Sequence, residues 1–531
     1  MGHHHSRPLR RWSVLSSALA GVLLAAPAAA HAGGLVLPGN GPVSTARAGA
    51  AVASVDDPSA LATNPAGLAG IHGTMITLGI SLIDYRLTFD RAGTYDDVAN
   101  RTDPWENTPF APVSDDSTPQ IGLGSYQIVP VVGVASDLGG AVKGLTAAIG
   151  LYAPNAYPTR AMGADYVIEA PGVAPPPTRY DVISQKAAVV LPSVAVGYRA
   201  MDKLDVGARL SAGFATIDAS TFVWGLDNYE EWAGKDSQFQ VEAKDNFVPA
   251  FGLGLRYRPT ADIELGASWS SAINVRARGE GLARSGSGNE FGGMAVEVVP
   301  IPDERAACAT GGEVDALKAC VDFELPMQAT VGGRWIVRDG AGQQTADVEL
   351  DVAWEQWSNA SDYRIRIDGF AQAAPGAGFD LQPTVIRHNF QDTFAFRLGG
   401  SWQRAVGSGR LTLRGGASYD TRTAKDNWER ADIDGAARYT VAAGAAYALK
   451  RVSFDLGLGG VIEPAREQGT LCNPLSPTEP DAANCTGGGA VTGPDPIQPL
   501  KDPSGQSQSP FAAGAFESGY TMIMLGVSTW F

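Results

Sequence analysis

A chain of 531 residues with 44% hydrophobic and only 18% charged residues, and with 64 glycines, suits a membrane barrel better than a soluble enzyme, since glycine is ordinarily about 7% of residues. Its formal net charge of −16 repels phosphate backbones and argues against nucleic acid as a partner.

The N-terminus reads as a signal peptide over residues 1–32. Arg7, Arg10 and Arg11 form a basic start, residues 12–26 are apolar, and Ala30, His31 and Ala32 make a small-x-small cleavage site before Gly33. The apolar run is short of the roughly 20 residues a membrane helix needs. His3, His4 and His5 are kept out of any metal argument. No later run is apolar for about 18 residues, which excludes a bundle of membrane helices.

Residues 33–72 do not alternate. Small residues dominate, punctuated by Pro38, Pro42, Pro58 and Pro65. Such a segment buries little surface alone and needs a container, so it is expected to be a loosely packed plug, a hatch displaced at little cost. From residue 73 to 531 the pattern is that of strands. Fourteen candidates lie at 73–90, 118–135, 143–154, 184–199, 203–219, 238–257, 261–277, 321–338, 345–357, 390–403, 409–422, 437–449, 452–463 and 519–531. The links between them alternate long and short, the short ones including residues 200–202, 259–260 and 450–451. Alternation of this kind implies an all-β membrane protein, an up-and-down antiparallel transmembrane β-barrel with long extracellular loops. An even count places both ends of the barrel on the periplasmic side.

The four cysteines then fall in long outer links as two local pairs, Cys308 with Cys320 and Cys472 with Cys485. There is no C-x-x-C zinc spacing, and after an export signal two disulfides are the economical reading. The last strand divides cleanly: Ile523, Leu525, Val527, Thr529 and Phe531 on a lipid face, Met522, Met524, Gly526, Ser528 and Trp530 on a lumenal one. Its terminal aromatic carboxylate looks like the signal read by barrel-assembly machinery.

Within residues 33–72, three elements carry a specific likeness: Ala46-Arg47-Ala48-Gly49, Asp56-Asp57-Pro58-Ser59 and Asn64-Pro65-Ala66-Gly67. With this spacing the segment resembles the hatch of the FadL/TodX family, outer-membrane transporters of long-chain fatty acids and aromatic hydrocarbons. Residues 192–210, 251–273, 352–364 and the hairpin around 392–420 are similar to family strands. The resemblance implies fourteen strands around an N-terminal hatch, and passive uptake of a fatty acid or other hydrophobic small molecule by a monomer. Outer-membrane lipid, lipopolysaccharide and the assembly machinery would be its surroundings. It also implies a kink in the third strand that lets solute leave sideways, for which Gly150 and Pro154 are the candidates; the alternative is a strand that simply ends at Pro154. The cysteine-bearing loops depart from the family pattern and put substrate identity in question.

The ligand-binding or gating candidates are Leu35, Val36 and Leu37, also readable as plug packing. Asn64, Pro65, Ala66 and Gly67 join them, also readable as a turn into the first strand. Arg256, Arg276, Arg334 and Arg397 are expected to face the lumen, because arginine on lipid costs about 2–4 kcal/mol at mid-bilayer, and one of them is a candidate partner for a carboxylate head group. Trp354 and Trp357 read as girdle or wall residues. After residue 32 the only histidines are His72 and His388, the latter near Asp392, and no serine completes a triad. No enzyme, cofactor or metal site is expected. The competing readings are a surface protein that binds a partner through its loops, and a polar-solute porin.

Overall fold

The computed structural model describes residues 37–98, 101–119, 122–154, 159–223, 231–291, 293–302, 305–308, 316–425, 428–433, 435–468 and 514–531. Leu35, Val36, Cys472 and Cys485 lie outside the described residues.

The strands are β1 Thr74–Arg91, β2 Tyr126–Ser136, β3 Leu145–Tyr152, β4 Ser184–Met201, β5 Leu204–Val223, β6 Ser237–Tyr257, β7 Ile263–Ser270, β8 Ile273–Ser285 and β9 Leu317–Leu325. They continue as β10 Gln328–Arg338, β11 Gln344–Glu355, β12 Asp362–Ala374, β13 Thr384–Arg387, β14 Thr393–Val406, β15 Gly409–Asp420, β16 Arg438–Ala448, β17 Val452–Gln468 and β18 Gly514–Trp530. Antiparallel pairing runs β1-β2-β3-β4-β5-β6-β7-β10-β11-β14-β15-β16-β17-β18. β18 returns to β1 from Met75↔Trp530 to Arg91↔Gly514. The ring is therefore a closed fourteen-stranded barrel, which leaves no free sheet edge in lipid.

Side chains sort by strand parity, as the sequence predicts. On β18, Met522, Met524, Gly526 and Ser528 are buried while Leu525 and Val527 are exposed to the outside. Neighbouring strands extend the outer apolar band through Leu78, Ile80, Phe454 and Leu456. The turns at the end near Gly73 and Phe531 are tight. Gly407 has φ +58 in the two-residue turn between Val406 and Gly409, a conformation that L side chains avoid.

Two features depart from simple alternation. The seventh and eighth sequence segments each break in two, at Ser271 and Ala272 and at Pro326 and Met327. Below the break β7 pairs with β6 and β10; above it β8 pairs with β6 and β9. The face also reverses: Leu265 points out, whereas Ile273, Val275 and Ala277, of the same parity, are buried. A slip of one residue turns every side chain over. Arg276 is consequently exposed rather than lumenal, unlike the other three arginines. The second departure is β12, which sits in a link where the alternation predicts no strand. It pairs with β9 from Lys318↔Asp368 to Asp322↔Arg364 and extends the wall outward. The disulfide Cys308–Cys320 fastens the preceding link to β9, with 5.4 Å between Cα atoms.

Residues 37–72 fold inside the ring as the short helices Pro42–Thr45 and Ala60–Thr63 and the 3-10 helix Pro65–Gly70. Wall glycines make room for them. A Cβ at Gly266 would stand 2.5 Å from Val52 O, and one at Gly457 2.6 Å from Pro42 O. At Gly207 and Gly416 it would meet the backbone of Pro65 and Arg47. Part of the glycine excess is thus the imprint of the hatch on the wall.

Candidate functional site

The hatch is clamped, not loose. Arg47, 3% exposed, donates to Asp347 and Glu349 of β11 at 2.9 and 2.8 Å. Glu349 also accepts the backbone N–H of Ala53 at 2.7 Å. Asp351 accepts those of Ala51 and Val52 at 2.8 and 3.0 Å. From β5 and β6, Arg209 donates to the carbonyl of Leu61 at 3.1 Å and Arg256 to that of Val55 at 3.3 Å. Asp205 holds Arg256 at 3.0 Å, with Arg199 and Arg258 on its other edges. Buried charges of this kind persist only when paired, and removal of one member leaves the other exposed to a full desolvation cost. The expectation of a loosely packed plug is corrected: its polar backbone is satisfied by the wall.

Asn64 explains the run that ends in Gly67. It is fully buried; its amide donates to Val52 O at 2.7 Å and to Leu255 O at 3.1 Å. Its side-chain oxygen accepts from Ala66 N at 3.1 Å and caps the 3-10 helix opened by Pro65. A Cβ on Gly67 would strike Val55 O. All four residues sit against β4, β5 and β6 rather than in an open cavity.

The open space is elsewhere. β3 stops at Tyr152, paired to Leu191, and Leu151 pairs with Val132. Beyond that point β2 and β4 continue without a strand between them. Gly122 and Leu123 cover Gln127 and Tyr126 on one side. Arg160 and Ala161 cover Gln185 and Ser184 on the other. Residues 128–131 and 186–190 are left as facing edges, an interruption about 15 Å tall at roughly 3.3 Å per residue.

A cavity of about 690 Å³ occupies this interruption. Its inner wall includes Leu37, Ile83, Val129 and Tyr520, and Pro154 lines it just after the end of β3. Its outer boundary includes Phe214 and Lys186, which belong to the outward faces of β5 and β4. Volume and apolar lining match the usual range for a ligand pocket. Gly150 lies lower, within the paired part of β3, where a Cβ would meet Val132 O at 2.6 Å.

The lumen beside the cavity is apolar, with Leu191, Val248, Val275, Phe323, Trp357 and Ile433 in one cluster with the cavity residues Val189, Ile217 and Ala243. The outer links are tied by buried ion pairs. Glu231 contacts Arg91 and Arg179; burial raises its pKa but the two guanidiniums outweigh this and hold it below the ordinary glutamate value. His388 is fully buried, with Nε2 2.9 Å from Asp432 and its ring stacked on Phe390 at 4.8 Å. Its acid is Asp432, whereas Asp392 accepts from Trp354 and Ser358. Burial again opposes ionisation of Asp432, but His388 and Arg430 keep its pKa low. His388 is therefore a structural link between outer segments.

Neither parity nor composition singles out Lys186 or the acids Asp347, Glu349 and Asp351. The one signal available for the latter is an acidic residue at every second position of an otherwise apolar strand.

Residues 23–463 match the family model described as "Outer membrane protein transport protein (OMPP1/FadL/TodX)". No curated protein sequence matches the chain. Among solved structures it is similar to a Pseudomonas aeruginosa FadL homologue, with a TM-score of 0.66 and 14% identity over 94% of this chain and 100% of that one. It is also similar to the Ralstonia pickettii toluene transporter TbuX, TM-score 0.57, 16% identity, covering 93% and 99%. The P. putida toluene transporter TodX gives 0.56 and 15%, again covering 93% and 99%. At such identities these structures speak for the fold alone, and the matched family model carries the assignment. The chain belongs to the OMPP1/FadL/TodX family, a transport channel of the outer membrane and not an enzyme.

Proposed function

We propose that the chain takes up hydrophobic molecules passively, with a lumenal binding cavity and a sideways exit through the wall above Tyr152. The observation that carries this reading is one cavity lined both by Leu37 of the hatch and by outward-facing Phe214. Burial of apolar solute is worth roughly 25 cal/mol per Å², so a long hydrocarbon chain binds there without polar contacts. An open sheet edge is tolerated at membrane depth only where it lines a cavity, and residues 128–131 and 186–190 meet that condition.

The clamps on residues 47–67 leave the start of the hatch as the moving part. Leu37, ahead of the clamped stretch and against the cavity, would be the part that moves while Asn64, Pro65, Ala66 and Gly67 hold the base. Residues 1–32 would be removed on export, and a monomer assembled by the barrel-assembly machinery would sit among outer-membrane lipid and lipopolysaccharide. The neighbours named as toluene transporters and as a FadL homologue make aromatic hydrocarbons and long-chain fatty acids the first substrates to try.

The test is uptake by cells that lack the protein and by cells that regain it. Restored protein should speed entry of both labelled oleate and toluene, and Ala188→Trp, which fills the outer side of the interruption, should slow both. Equal uptake with and without the protein would sink the transport reading for these solutes, and full activity of Ala188→Trp would remove the sideways exit.

A further inference from the structure

Lys186 stands where the cavity meets the outside of the barrel. It belongs to the unpaired edge of β4, and its side chain shares the outward face with Val194 and Val196, which are exposed on the same strand. The outward residues next along the strand, Ala188, Val190 and Pro192, are apolar, so its ammonium group stands at the upper edge of the aliphatic band. That is the place where a lysine lays its stem on apolar surface and keeps its head wet.

What distinguishes Lys186 is the state of its charge. Four lumenal arginines are held in ion pairs: Arg47 to Asp347 and Glu349, Arg256 to Asp205, Arg334 to Asp347 and Glu264, Arg438 to Glu463; Arg397 makes none among the described residues but stands among the lumenal acids Asp351, Glu355 and Asp420. Lys244, the other cation on the cavity, is within 3.7 Å of Glu242. Lys186 makes no ion pair or side-chain hydrogen bond among the described residues. Asp218 is its cross-strand neighbour and in turn faces Glu242 in register, and neither acid forms an ion pair with the lysine.

The geometry points to a head-group station: we propose that Lys186 receives the anionic head of a transported amphiphile while its tail lies in the cavity against Leu37 and Phe214. The proposal rests on the sideways exit described above. Apolar burial treats a hydrocarbon and a fatty acid of equal length alike. A single ammonium group at the outer mouth does not, because it gives a carboxylate an ion pair as well as hydrogen bonds, an alcohol only a hydrogen bond to a neutral oxygen, and an alkane nothing. Lys186 would thus set substrate class, favouring a hydrophobic chain with one negative head. The same chemistry is present in the phosphates of outer-leaflet glycolipid, so the experiment has to separate the two sources.

Binding of oleate and of oleyl alcohol is measured on purified protein in a non-ionic detergent free of lipopolysaccharide, and uptake of both is measured in cells. Lys186→Gln should weaken oleate binding about fivefold, the scale of a partly exposed ionic contact, with oleyl alcohol affected much less and Lys186→Arg restoring the difference. No change, or equal loss for both ligands, overturns the proposal. A Gln effect seen in cells but absent from the lipopolysaccharide-free protein also overturns it, because the lysine then meets lipid phosphate and not substrate. If Ala188→Trp leaves uptake intact, the exit reading fails by itself, and the oleate preference in the binding assay still decides the role of Lys186.

Discussion

Arg47 reaches Glu349, 302 residues further along the chain, and together with Asp347 the pair carries the hatch. Truncation to Arg47→Ala leaves buried Glu349 without its cation and Asp347 with Arg334 alone. The loss should be about 3–5 kcal/mol, and it belongs to the hatch more than to the wall. Hydrogen exchange read by mass spectrometry should show residues 47–54 exchanging orders of magnitude faster while the strand amides of β14–β18 hold their protection. Unchanged protection of residues 47–54 would mean that the backbone bonds to Asp351 suffice alone. Leu37 gives the opposite case. Leu37→Ala should leave that protection intact and weaken ligand binding, since the side chain faces the cavity.

Among the elements, β3 matters most because it is short. Its eight residues stop where Ala153 and Pro154 begin, and proline has no N–H to give to the ladder. The outer links are tied largely by charge. Glu231, held between Arg91 and Arg179, has a pKa below the usual glutamate value. A depressed carboxylate stabilises the fold above its unfolded pKa, and the contribution disappears as pH falls through the lowered value. Acidification below about pH 4 should therefore loosen the segments around residues 91, 179 and 231 before the barrel responds. Exchange at neutral pH and at pH 3 checks this, and identical rates in those segments would count against it. These elements also mark how far sequence reading goes. The short turns and the two faces of β18 were legible, since period-2 alternation and turn residues are local. The break at Ser271 and Ala272 was not, because a continuous alternation hides a one-residue slip, and Arg276 was placed on the wrong face for that reason. β12 was missed because its alternating Tyr363, Ile365 and Ile367 lie in a link already counted as long. The tight packing of the hatch was invisible, because its partners lie hundreds of residues away.

At the scale of the whole molecule, a ring of fourteen strands would leave a water-filled channel if nothing filled it. Residues 37–72 occupy that lumen, and an apolar cluster from Leu191 to Ile433 lies above them. In planar bilayers the intact protein should give small, irregular currents. Deletion of residues 37–72 should give steady, larger ones, provided the barrel still assembles, which its heat-modifiable migration reports. A large steady conductance from the intact chain would favour a porin. Family membership and the closed ring were within reach of the sequence, through Asn64-Pro65-Ala66-Gly67 and the strand count. The cavity that crosses the wall was not, because it depends on where one strand ends relative to its two neighbours.

The wall glycines carry a consequence for assembly. The hatch comes first in the chain, yet its partners lie far along it: Arg209, then Arg256, then Glu349 and Asp351, and finally Gly416 and Gly457, whose bare backbones admit it. Contacts so distant in sequence form slowly. The segment therefore cannot be fully seated until the strands that carry these partners are in place, and ring closure between β1 and β18 has to enclose it. Insertion and plugging become one event: a barrel that seals before its earliest residues are seated has trapped them outside.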